Sequence, residues 1–166
     1  SDPVLAQLRA LGLANRREDP VKVVYHPEFI NPVSPLWGMD YEHFVRGCHL
    51  GVFPSRYEPW GYTPLECLAM GVPAITSDLA GFGRYVSEVY PDHDDWGLVV
   101  LRRRGRSFDE AAESLTRRLL RFCRLDRRGR IALRNDVEAH SRAFDWSRLA
   151  SHYHEAHDRA LALHRG

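Results

Sequence analysis

The sequence predicts an α/β fold built on a parallel, doubly wound sheet, with helices added at the C-terminal end. Three observations carry that prediction. Short continuous apolar runs at residues 50–53, 74–76 and 98–101 read as strands buried on both faces. Between the first two, Thr63-Pro64-Leu65-Glu66 has the pattern of a helix start: a capping threonine, proline at the first position and glutamate at the third. From Val21 to Leu101 strands and helices alternate, as crossover connections require.

Taken in order, Asp2-Pro3 opens a first helix with an N-cap followed by proline, carries Leu5, Leu8 and Leu11 on one face, and stops near Gly12. A polar linker follows, and residues 21–25 (Val-Lys-Val-Val-Tyr) read as a strand. Residues 26–38 hold three prolines and no period, hence a loop. Asp40 is placed to cap a short helix through Arg46, and residues 55–62 form a second loop. The helix begun at Thr63 ends at Gly71. Beyond the third apolar run, Ser107 and Glu110 form a capping box for a helix whose face holds Ala112, Leu115, Leu119 and Phe122. Asp126 begins another, and a last one follows Asp145 with Leu149, Tyr153, Ala156, Ala160 and Leu163 at helical spacing. The expected division is a partial Rossmann-like unit at 1–105 and a helical segment at 106–166 packing on it.

Composition excludes several classes. At 166 residues the chain is long enough for one core, and no run approaches the ~18 apolar residues of a membrane helix. Formal net charge is +1, which argues against a polyanion binder. The three cysteines, Cys48, Cys67 and Cys123, are widely spaced, with no C-x-x-C pair to suggest zinc. They read as reduced thiols of a cytosolic protein.

The chemistry is expected where the first apolar run delivers the chain into Tyr57-Glu58-Pro59-Trp60-Gly61-Tyr62-Thr63. Ligands of open α/β sheets bind beyond the carboxyl ends of the strands, and a helix N-terminus there attracts phosphate. Gly61 lets backbone approach a ligand, and Glu58 lies ahead of this anion site. Glu58 and Glu66 make a carboxylate pair able to orient sugar hydroxyls or stabilise a cationic sugar carbon. Each also has a plainer reading: Glu66 as a capping residue, Glu58 as a solvated loop carboxylate, Trp60 as core.

The full run from Phe53 to Cys67 resembles the signature loop of the eukaryotic-type glycogen synthases, glycosyltransferase family 3. So do His26-Pro27-Glu28-Phe29, Tyr41-Glu42-His43-Phe44-Val45-Arg46-Gly47-Cys48-His49-Leu50-Gly51, Gly71-Val72-Pro73, Gly81-Phe82-Gly83 and Phe144-Asp145-Trp146. The resemblance implies a GT-B enzyme of two Rossmann-like domains, transferring glucose from UDP-glucose to an α-1,4-glucan with retention and without a catalytic metal or other cofactor. It implies Glu58 as the key carboxylate with Glu66 completing the pair near the ribose, and Trp60 and Gly61 beside the donor glucose. Thr63 then lies at the diphosphate, with Tyr62 beside it, and Tyr41 stacks on uracil. It also implies a cytoplasmic protein whose N-terminal Rossmann domain is missing here, leaving a C-terminal piece inactive alone. A stand-alone nucleotide-sugar-binding module, or a GT-B transferase with another acceptor, remains open.

Eight arginines lie between Arg117 and Arg134. Arg127, Arg130 and Arg134 share one helical face, with Arg128 beside them. A solvated face explains such a run, while a nucleic-acid patch is disfavoured by the absence of interleaved aromatics. The resemblance offers a third reading, the family's regulatory arginine helix, which receives glucose 6-phosphate. Leu133 and Asp136 depart from its usual polar and basic pattern.

Overall fold

The structure is a computed structural model that describes residues 2–164. The chain opens with α1 (Pro3–Ala10), whose N-cap Asp2 accepts the amides of Val4 and Leu5 at 2.8 and 3.2 Å. The expected strand at residues 21–25 does not form. That segment has no ladder partner among the described residues, and Val21 and Val24 are 53% and 60% exposed. Its backbone is held by the Asn15 side chain, which bonds both the amide and the carbonyl of Val23 at 2.8 Å. β-branched residues favour a pleated surface only when another strand supplies the hydrogen bonds, and none lies alongside.

After α2 (Tyr41–Gly47) come β1 (Gly51–Val52), α3 (Tyr62–Ala69), β2 (Ala74–Ser77), α4 (Gly81–Val89) and β3 (Leu98–Leu101). The strands form one parallel sheet in the order β1-β2-β3, with Gly51 opposite Ala74 and Ala74 opposite Leu98. The α/β class with a parallel, Rossmann-like sheet is therefore as expected. α3 closes with the amides of Gly71 and Val72 returning to the carbonyls of Leu68 and Cys67. α4 is an element the sequence reading did not define. Two glycines in its first turn hide it, although Phe82 and Val86 sit one turn apart and are both fully buried.

The helical remainder is α5 (Phe108–Cys123), α6 (Arg127–Ser141), a short 3-10 turn at Arg142–Phe144 and α7 (Trp146–His164). The capping box joins Ser107 to Glu110 in both directions, and Asp126 caps α6 through the Gly129 amide at 2.7 Å. The core gathers Leu68, Val72, Ala74, Phe82, Val86, Leu98, Val137 and Phe144 between the sheet, α3, α4 and α6. Of the α7 face, Leu149 packs against this core, whereas Tyr153 and Leu163 are exposed. No described helix is long and apolar enough to cross a membrane. The three cysteines are free thiols, and burial pushes that of Cys67 up to about 12.

Candidate active site

The loop between β1 and α3 carries Glu58, and its path is set by the segment after β2. Gly81 donates its amide to the Glu58 carbonyl at 3.0 Å, and Phe82 donates to Trp60 at 2.7 Å. Glu58 also forms a parallel bridge with Ala80. The approach is so close that a Cβ at Gly81 would run into the Pro59 carbonyl. The Glu58 side chain is half-buried, and its Oε2 accepts the Ser55 hydroxyl at 3.2 Å. Gly61 has φ +110°, and a Cβ there would lie 3.3 Å from the same oxygen. Glycine is thus needed twice over, for the left-handed turn and for space beside the carboxylate. The Trp60 indole packs against Phe82 and Tyr85, with ring centroids 5.6 and 5.7 Å away, so it lines the core side of the loop.

The helix after this loop starts differently from the expectation. Gly61, not Thr63, is the N-cap, no side chain caps the helix, and Thr63 is its second residue. Glu66 falls fifth, outside the first turn, so capping does not account for it. A proline is tolerated anywhere in a first turn because those amides have no intrahelical partner, so Thr-Pro does not locate the boundary. The left-handed Gly61 does. The amides of Tyr62 and Thr63 remain at the helix start, next to the Glu58 loop.

Glu66 is engaged by Tyr41, the first residue of α2, whose hydroxyl donates to Oε2 at 3.0 Å. Burial, followed by that bond and the carboxylate charge, pushes the Tyr41 phenol up to about 12. It stays a neutral donor at any physiological pH. Asp40 occupies the N-cap position of α2 but makes no side-chain cap; its carboxylate instead lies 3.6 Å from His43.

On α6, Arg127, Arg130 and Arg134 line a groove of about 530 Å³ whose opposite wall includes Arg46, Cys48 and His49. Arg128 is not among its lining residues. Arg134 bonds the carbonyls of Cys48 and Arg46 at 2.9 and 3.1 Å. Arg130 bonds those of Leu125 and Cys123 at 3.1 and 3.2 Å and lies over the Phe122 ring. Three of the four expected arginines therefore converge. A larger cavity, about 830 Å³, lies elsewhere along α5. Its Arg106, Arg117 and Arg118 are already paired with Glu110, Glu113 and Asp94, so it presents little unbalanced charge to a ligand. Among the described residues no three His, Cys, Asp or Glu side chains gather as metal ligands.

The family model of glycogen synthase matches residues 1–165. The chain belongs to the glycogen synthase family. It is 51% identical to a glycogen [starch] synthase of Caenorhabditis elegans over 164 residues, and 51% identical to the liver glycogen [starch] synthase of Mus musculus over 165. A Dictyostelium discoideum glycogen [starch] synthase is 49% identical over 165 residues. Each match covers 99% of this chain but only 24%, 23% and 19% of the relative. The chain thus spans about a quarter or less of the length of these curated relatives.

Within this family segment the structure brings Glu58, Gly61 and the α3 start together on one loop, and joins Tyr41 to Glu66 beside it. Sequence reasoning missed Ser55 and Ser77, whose contact spans 22 residues and has no spacing signal.

Proposed function

We propose that this segment forms the donor-binding side of a retaining glucosyltransferase that moves glucose from UDP-glucose to the non-reducing end of an α-1,4-glucan. The observation that carries the reading is Glu58, a half-buried carboxylate held at the mouth of a helix N-terminus. The donor diphosphate lies against the Tyr62 and Thr63 amides, which take up the negative charge that grows on departing UDP. Glu58 then faces the sugar carbon as it becomes cationic. The Tyr41 ring stacks on uracil, and Glu66 fixes that ring and reaches the ribose. Trp60 and Gly61 bound the glucose.

The other face of the cleft belongs to an N-terminal domain of the same protein, and the isolated segment does not turn over. The enzyme works in the cytoplasm without a catalytic metal. Relatives of several times this length support a two-domain enzyme over a stand-alone module. The arginine groove on α6 takes glucose 6-phosphate, since convergent guanidinium groups suit a phosphate dianion.

The test is glycogen elongation by a full-length synthase chain carrying this segment. Incorporation from UDP-glucose, undiminished by a chelator and well above that from ADP-glucose, is expected. Absence of incorporation from UDP-glucose would overturn the proposal.

A further inference from the structure

The Glu58 carboxylate is oriented from behind by a short chain of hydrogen bonds that begins in the core. Ser77, the last residue of β2, is fully buried. Its hydroxyl accepts the Leu79 amide at 3.2 Å and donates to the Ser55 carbonyl at 2.6 Å. Ser55 is tied on its other side as well, its amide donating to Phe53 at 2.9 Å. With both backbone groups anchored, the Ser55 hydroxyl has one proton to give, and it goes to Glu58 Oε2 at 3.2 Å. Gly61 leaves room beside that oxygen, where a Cβ would lie 3.3 Å away. The other oxygen, Oε1, has no protein donor among the described residues.

We infer that Ser55 is a positioning residue for the transfer reaction: by occupying Oε2 it turns Oε1 toward the reacting sugar. This rests on the role proposed for Glu58. A carboxylate on a loop samples several rotamers, and a catalytic group must be held to within about half an ångström to work at full rate. The anchoring matters because an exposed serine on an unpinned loop would rotate with its partner. Here the orientation is referred back to a fully buried strand end. Ser55 does not touch the substrate, so its loss leaves donor affinity alone and lowers the rate of the chemical step.

The experiment uses a full-length synthase chain carrying this segment. Ser55→Ala is expected to lower kcat about ten-fold with KM for UDP-glucose within about two-fold, the size typical for removing a hydrogen bond to a charged group. Ser55→Thr, which keeps the hydroxyl, is expected to recover activity to within about three-fold of the parent, while Ser55→Val, isosteric with threonine but without the hydroxyl, does not. On a Glu58→Gln background, Ser55→Ala is expected to cost nothing further, since both act through one carboxylate. Thermal melts of each variant exclude unfolding, and the threonine–valine pair decides the matter if the alanine variant does not fold. Parental kcat in Ser55→Ala, equal activities for Thr and Val, or an undiminished effect on the Gln background would each overturn the inference. Near-normal turnover of Glu58→Gln alone would instead remove the role of Glu58 itself.

Discussion

The hydroxyl of Tyr41 and the carboxylate of Glu66, 25 residues apart in sequence, meet at 3.0 Å and lock the start of α2 to α3. Glu66, which looks in sequence like a capping residue, is therefore a partner for an aromatic ring. Tyr41→Phe keeps the ring and removes the bond, and Glu66→Gln removes the charge. Each is expected to weaken UDP binding by roughly 1 kcal/mol, with the double variant losing less than the sum of the two single losses. Calorimetric titration with UDP in a full-length chain gives the comparison. Additive losses would show that the two residues act separately.

A second prediction concerns pH. The His93 ring nitrogen Nδ1 lies 2.7 Å from the Leu98 carbonyl and 3.2 Å from Asp94, which also receives Arg118 at 2.6 Å. The Asp94 carboxylate beside it raises the His93 pKa above the ordinary histidine value against the opposing effect of burial. Burial raises the Asp94 pKa, but the neighbouring His93 and the Arg118 hydrogen bond and charge outweigh it and hold the carboxyl below its ordinary value. The histidine contribution is complete below its ordinary value of 6.5 and drains away as pH rises through the raised value. The aspartate contribution is present above its ordinary value of 3.8 and is lost as pH falls through the lowered value. Melting temperature should therefore decline from pH 6.5 upward in the parent chain, and less so in Asp94→Asn. Parallel profiles for the two would contradict the cluster.

The main features of the fold were legible in the sequence because local signals and packing agree there. Ser107 and Glu110 cap α5 as a box, Asp126 caps α6, and β3 covers the expected residues. Failures occur where the deciding partner is distant. Residues 21–25 have strand composition but no neighbouring strand, and α4 begins Gly-Phe-Gly because its first turn is pressed against the Pro59 and Ser77 carbonyls. At the candidate site, the placement of Glu58 and Gly61 in a loop ahead of a helix start is readable from the sequence. The placement of Thr63 and Glu66 is not, since proline fits several first-turn positions and only the φ of Gly61 fixes the boundary.

The arginine groove yields a third prediction, separating two adjacent residues. Arg127 lines the groove and Arg128 does not. Arg127→Ala is expected to weaken glucose 6-phosphate binding about ten-fold, as loss of one charge-assisted contact would, with Arg128→Ala within about two-fold. Equal effects in a binding titration would mean that the run acts as a diffuse positive face.

The isolated segment supplies a fourth. On the proposed two-domain reading the segment supplies only one side of the cleft, so it should show no glucosyl transfer. UDP should still bind at an affinity on the order of millimolar, perturbing NMR signals of Tyr41, Gly61 and Thr63. Robust turnover by the segment alone would contradict the two-domain reading.

The central claim is that the carboxylate of Glu58 acts on the sugar as its cationic character develops. Glu58→Gln preserves size and removes charge, so in a full-length chain it isolates that effect. Turnover with UDP-glucose should fall roughly 100-fold, about 2.7 kcal/mol, while the UDP dissociation constant stays within about two-fold. Near-parental turnover, or a loss explained wholly by weaker UDP binding, would show that the loop shapes the site without taking part in the reaction.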